Sequence, residues 1–108
     1  MATLSYQKRT MSEQVLDNVK FVSSNYAMSE NDQSVYVDAS GGNVTITLPN
    51  VAEAKGRIYC IVATAVNSTT VTVTGKGDTL TSFSDITLDA AGAEAVLYSD
   101  GINWHKLV

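Results

Sequence analysis

Strict alternation between apolar and hydroxyl side chains recurs along this chain and constrains its fold more than any other feature. In the segment NVTITLP, Val44, Ile46 and Leu48 alternate with threonines, and the segment TTVTVTG repeats the pattern with Val71 and Val73. Successive side chains of a β-strand point to opposite faces, so each segment has one apolar face and one face covered by hydroxyl groups. The alternation predicts strands that pack a single face against a core.

Six further short runs are rich in Val, Ile, Thr and Tyr and are separated by Gly, Asn, Asp and Ser clusters: VKFVSS, SVYVDAS, GRIYCIVAT, DITLDA, AEAVLYSD and NWHKLV. Together the runs predict about eight strands. Turns are expected at Gly41-Gly42, Asn67-Ser68, Gly75-Lys76-Gly77, Ala91-Gly92 and Asp100-Gly101. Because no crossover helices are predicted, the expected fold is all-β: an antiparallel β-sandwich or jelly-roll-like module of about eight short strands.

The run RIYCIVA departs from the alternation because its apolar side chains fall on both faces of the predicted strand. Such a strand is either central in the sandwich or has a second face that meets another subunit. Trp104 opens the last predicted strand, where a large ring can cover the open end of a small β core; an exposed tryptophan that stacks on sugar is the alternative. The residues expected in the core or at an oligomer interface are Ile58, Tyr59, Cys60, Ile61 and Trp104.

The first 18 residues lack this alternation. Val15 and Leu16 fall at helical spacing after a capping-box sequence, TMSE, but a helix this short is marginal by itself. We therefore expect an extended N-terminal arm over residues 1–18 and a β-module over residues 19–108.

Few residues have the chemistry that catalysis or metal binding requires. His105 is the only histidine and Cys60 the only cysteine, so neither a zinc site nor a Cys–His catalytic pair is expected, and Cys60 is interpreted as a buried, inert thiol. The polar loop SENDQS lacks the order of a calcium-binding loop and is interpreted as a solvated turn. The sequence predicts no catalytic residue, no metal and no cofactor, although two acids brought together by the fold could still form a glycosidase pair.

The charge of the chain disfavours nucleic-acid binding. Eleven acidic residues against seven basic ones give a net charge of −4, and only Lys8 and Arg9 are adjacent basic residues. No apolar run approaches the roughly 20 residues that span a bilayer, so no membrane is expected as a partner. The charged fraction of 17% is low and suits a subunit packed against neighbours.

The order of four segments, VYVDASGGNVTITLP, KGRIYCIVAT, TVTVTG and VLYSDGINWHKL, resembles a β-rich module of tailed-bacteriophage virion proteins. This module occurs in capsid decoration (cement) proteins and in tail-fibre and tail-spike proteins, and the resemblance covers roughly residues 19–108. It implies a structural protein that is not an enzyme and is usually homotrimeric. The chain has no repeated shaft and no coiled-coil heptad, which favours a decoration protein over a long fibre.

A decoration protein binds the outer surface of the phage head after assembly in the host cytoplasm. Its expected partners are the major capsid protein and further copies of itself, and its expected effect is to stabilise contacts between capsid subunits. The arm residues expected to contact the capsid are Tyr6, Lys8, Arg9, Met11, Val15 and Leu16.

Two alternatives come from other functional classes. A tail-fibre or tail-tip module that attaches to a host receptor would need an exposed aromatic ring and a polar groove for glycan. A polysaccharide depolymerase would need a pair of carboxylates in a cleft.

Overall fold

The computed structural model describes residues 19–75 and 85–107, and the predicted N-terminal arm lies outside these ranges. Nine strands are present in the described residues: β1 (Val19–Val22), β2 (Tyr26–Ala27), β3 (Ser34–Ala39), β4 (Val44–Thr47), β5 (Ile58–Val66), β6 (Val71–Thr74), β7 (Ile86–Leu88), β8 (Glu94–Ser99) and β9 (Trp104–Lys106). All eight predicted strands are found, and the additional one is β2. Two residues are too few to show an alternation, so only the pairing of β2 with β4 reveals it as a strand.

The strands form two sheets, with the orders β1-β3-β5-β8-β9 and β2-β4-β6-β7. From β1 to β6, consecutive strands alternate between the sheets. Neighbours within a sheet are therefore separated by one strand of the other sheet, and the pairs β1/β3, β3/β5, β2/β4 and β4/β6 run parallel. The pairs β5/β8, β6/β7 and β8/β9 are antiparallel.

The all-β prediction is confirmed, because residues 19–75 and 85–107 contain strands and no helix. The expectation of antiparallel pairing is wrong for four pairs, and the jelly-roll detail is not confirmed. Parallel neighbours need a connection that returns the chain to the same end of the sheet, and an α-helix usually provides it. Here a strand of the opposite sheet makes that return, so parallel pairs form without crossover helices.

The inward side chains of both sheets form one apolar core. Val44, Ile46, Leu48, Val71 and Val73, which the alternation predicted to share one face of their strands, are all buried. Burying a Val, Ile or Leu side chain stabilises the fold by about 1.5–3 kcal/mol, so these two strands make a large contribution to stability.

The turn between β8 and β9 packs against the segment that contains Val51 and Lys55. The buried Ser99 hydroxyl donates a hydrogen bond of 2.6 Å to the Val51 carbonyl oxygen. Gly101 has a φ of +94°, and a Cβ atom at this position would lie 2.9 Å from carbons of the Lys55 side chain. The backbone conformation therefore favours glycine at this position, and a Cβ atom there would displace the Lys55 side chain.

The loop SENDQS is a turn with exposed residues, as the sequence indicated, except that Asp32 is buried. Its Oδ2 atom accepts hydrogen bonds from the Tyr26 hydroxyl at 2.6 Å and from the Ser29 backbone amide at 3.0 Å. Burial, together with the bond to Asp32, raises the pKa of Tyr26 to about 12, so this tyrosine stays protonated and donates. The Glu30 carbonyl oxygen accepts from the Tyr59 hydroxyl at 2.8 Å, which joins the loop to β5.

Candidate functional site: the outer face of the five-stranded sheet

The two faces of β5 have different environments. Tyr59, Ile61 and Ala63 are buried in the core. Ile58, Cys60 and Val62 point to the outer side of the sheet, where Ile58 is 49% exposed and the other two are half-buried. β5 is the third of the five strands in its sheet, so the interpretation of this run as a central strand is confirmed. Its second face is only partly covered within the described chain.

Strands on both sides of β5 extend this surface. The register places Tyr36 beside Val62, Cys60 beside Val96, and Ile58 beside Tyr98. We define the outer apolar face by its outward apolar and aromatic side chains: Phe21, Tyr36, Ile58, Cys60, Val62, Val96 and Tyr98. The face therefore runs across four adjacent strands, from β1 to β8.

An aromatic pair stands at the β1 side of the face. The ring centroids of Phe21 and Tyr36 are 5.3 Å apart with an angle of 85° between the ring planes, the edge-to-face geometry that aromatic rings prefer. Phe21 is 76% exposed, which is unusual for a large apolar side chain in a sheet. Among the strands of the described residues, β1 is the outermost of its sheet on this side.

Polar groups border the face at its two ends. Asp38 and Glu94 lie where β3 ends and β8 begins. At the other end, His105 lies beside Tyr98, and its Nε2 atom is 2.9 Å from the Asp100 Oδ2 atom. The hydrogen bond to His105 lowers the pKa of Asp100, and hydrogen bonds that the carboxylate accepts from backbone amides lower it further, from 3.8 to about 2. The face thus has an apolar centre and a polar rim, as protein interfaces commonly do.

Cys60, which was expected to be a buried thiol, is only half-buried because it points to the outer side of β5. Burial, and then the Glu94 carboxylate, raise the pKa of the Cys60 thiol. The thiolate is the nucleophilic form, so this environment disfavours a catalytic role for Cys60. Within the described parts of the chain, no three His, Cys, Asp or Glu side chains are grouped so that they could hold a metal ion.

The sequence-predicted site residues fall into three groups. Ile58 and Cys60 lie on the outer apolar face, whereas Tyr59, Ile61 and Trp104 are buried in the core. Because Trp104 is fully buried, it offers no surface on which a sugar could stack. The third group comprises the predicted capsid contacts of the arm, which lie outside the described residues: Tyr6, Lys8, Arg9, Met11, Val15 and Leu16.

Five residues of the outer apolar face were not among the predicted site residues: Phe21, Tyr36, Val62, Val96 and Tyr98. The sequence feature that could have found them is the one described for RIYCIVA: apolar or aromatic residues at successive positions of a strand, so that some of them must point away from the core. The runs VKFV, SVYV and AVLY have the same property.

No protein-family model matches the sequence, and comparison with curated proteins finds no similar one. A helix long and apolar enough to cross a membrane does not occur in residues 19–75 or 85–107.

Proposed function

We propose that this protein is a structural component of a tailed-bacteriophage virion, and that it is a capsid decoration (cement) protein bound to the outer surface of the head. The observation that carries the proposal is the outer apolar face. Large contiguous apolar patches are uncommon on soluble monomers and usually mark surfaces that bind other proteins. The resemblance of the segment order to virion modules supplies the class of partner.

The chemistry of the face suits adhesion between proteins. Covering a fully exposed Phe or Ile side chain contributes roughly 1.5–3 kcal/mol, and Phe21 and Ile58 are the most exposed members of the face. Asp38 and Glu94 are exposed residues at one end of the face, and Glu94 lies beside Val62. A partner can therefore cover the apolar centre if these two carboxylates stay in contact with water or meet a cation.

The outer apolar face packs between copies of the chain in a homotrimer, and the arm contacts the major capsid protein. Three copies held together present their capsid contacts at the same time, so weak individual contacts combine into firm attachment. A decoration protein of this kind links neighbouring capsid subunits and opposes their separation under the pressure of packaged DNA. The proposal assigns the protein no enzymatic activity and no cofactor.

The face can be tested with one charged substitution and a matched control. In Val96→Asp, a carboxylate replaces a half-buried valine beside Cys60 at the centre of the face. In Thr87→Asp, the same group replaces an exposed residue of the other sheet. We expect Val96→Asp alone to lose self-association in light scattering and occupancy on undecorated capsids, while both variants keep the circular dichroism of the unmodified protein.

Equal mass and equal capsid occupancy for the two variants would refute the role of the face. Copy number in purified particles provides the second test, because decoration requires hundreds of copies per head and a tail tip needs only a few. A small copy number would move the assignment to a tail-fibre or tail-tip module, the second candidate. The exposed Phe21 ring is the observation that favours this second candidate.

A further inference from the structure

We propose that an open depression beside the Phe21–Tyr36 pair is a binding site for a neutral saccharide. The depression has a volume of about 630 Å³ and lies between the β1–β2 connection and the β3–β4 turn. Its lining consists of serine, asparagine and glycine residues with one carboxylate, and the side chains used below are Ser23, Asn25, Asp38, Ser40 and Asn43. This inference goes beyond the decoration role and does not depend on it.

Asp38 supplies the hydrogen-bond acceptor of the site. Its Oδ1 atom accepts bonds from the backbone amide of Ser40 at 2.9 Å and from the Ser40 hydroxyl at 2.6 Å. These bonds lower the pKa of Asp38, so the group is a carboxylate near neutral pH. A carboxylate accepts on both oxygens, and the bonds from Ser40 leave Oδ2 to accept from a ligand hydroxyl.

Two asparagines supply donors in fixed orientations. The Asn25 side-chain oxygen accepts from the Thr45 backbone amide at 2.8 Å, and the Asn43 side-chain oxygen accepts from the Thr70 backbone amide at 3.0 Å. Because each oxygen is held by the fold, the NH₂ group of each side chain is the part that remains to bind a ligand. Side chains already ordered in the free protein lose little entropy on binding, which favours affinity.

The aromatic pair supplies the apolar surface that a sugar ring requires. Phe21 precedes Ser23 by two residues, and Tyr36 precedes Asp38 by two residues on the outward side of β3. Two residues of a strand span about 7 Å along the backbone, so the two aromatic residues occupy strand positions next to the polar lining. A pyranose has an apolar face of C–H groups and a rim of hydroxyls, and this site offers a matching surface for each.

The charge of the site selects among saccharides. Among residues 19–75 and 85–107, Asp38 is the only charged residue in the lining, and no Lys or Arg contributes to it. A uronic or sialic acid would place its carboxylate near Asp38 without a cation to balance it, which disfavours acidic sugars. A neutral hexose or N-acetylhexosamine meets no such repulsion.

The test uses the full chain labelled with ¹⁵N and titrated with three neutral probes, maltotetraose, cellotetraose and triacetylchitotriose, and one acidic probe, trigalacturonate. We expect at least one neutral probe to shift amide signals of residues 21–25 and 36–43 in a saturable way at millimolar concentration, and trigalacturonate to bind more weakly. Phe21→Ala and Asp38→Asn should each weaken that binding by about tenfold.

Matched controls separate the site from general surface effects. Ile102→Ala removes a side chain that is 77% exposed, close to the 76% of Phe21, at a different turn. Asp89→Asn removes an exposed carboxylate outside the depression. Both controls should bind like the unmodified protein. The proposal is overturned if no neutral probe shifts these signals, if trigalacturonate binds better, or if Phe21→Ala and Asp38→Asn bind as the controls do.

Discussion

The ring centroids of Trp104 and Tyr59 are 5.6 Å apart, with an angle of 69° between the ring planes, and both rings are buried. Trp104 begins the edge strand β9, whereas Tyr59 lies in the central strand β5, and β8 separates the two strands in the sheet. The contact therefore crosses a strand and holds the end of the described chain to the middle of the core.

This contact predicts a large effect of removing the indole ring. Trp104→Ala leaves a cavity beside Tyr59 and should lower the free energy of unfolding by about 3–5 kcal/mol, measured by denaturant titration. Ile102→Ala, two residues earlier, removes a 77% exposed side chain and should change that free energy by less than about 0.5 kcal/mol. Similar losses for both variants would contradict the central position of Trp104 in the core.

A second prediction concerns the turn before β9. Gly101→Ala introduces a Cβ atom against the Lys55 side chain at a residue with a φ of +94°, so it should destabilise the protein by about 1–2 kcal/mol. Gly41→Ala is the matched control, since a Cβ atom there meets nothing within 4 Å. Thermal unfolding of the two variants provides the comparison, and equal melting temperatures would show that the turn adapts without strain.

A third prediction follows from the lowered pKa of Asp100. Its folded-state pKa of about 2 lies below the ordinary value of 3.8. The ionised carboxylate therefore stabilises the folded chain at pH values above 3.8. This contribution should disappear as the pH falls from about 4 to about 2. We expect the melting temperature to fall more steeply over this range for the unmodified protein than for Asp100→Asn, and parallel curves would contradict the assignment.

The fourth prediction uses Cys60 as a probe of the outer apolar face. Since burial and Glu94 raise the pKa of the thiol, labelling by a maleimide should be slow near neutral pH and faster in Glu94→Gln. If copies cover the face, labelling should slow further as protein concentration increases association. Mass spectrometry follows the labelled fraction, and a rate that does not depend on protein concentration would argue against packing of this face between copies.

Local sequence patterns predicted the strands well because alternation depends only on which residues face the core. The same patterns could not predict how the strands pair. Val44 and Ile46 alternate with threonines in the same way whether the neighbouring strand is parallel or antiparallel, so the parallel register of Val44 with Val71 required the structure. The candidate site could be predicted only in part for the same reason. The run RIYCIVA shows that the outer side of β5 is apolar, but the extension of this surface through Tyr36 and Val96 depends on which strands lie beside β5.

The alternation of β1 to β6 between sheets also has a consequence for how the chain folds and unfolds. Val19 pairs with Ser34 and Ser34 with Cys60, so each parallel contact closes a loop that contains a strand of the opposite sheet. Because the strands of the two sheets alternate along the chain, pairing in one sheet brings strands of the other closer together, and every such pair carries the entropy of closing a loop. We therefore expect a single cooperative unfolding transition, in which amide protons of β3 and β4 lose protection against hydrogen exchange together rather than sheet by sheet.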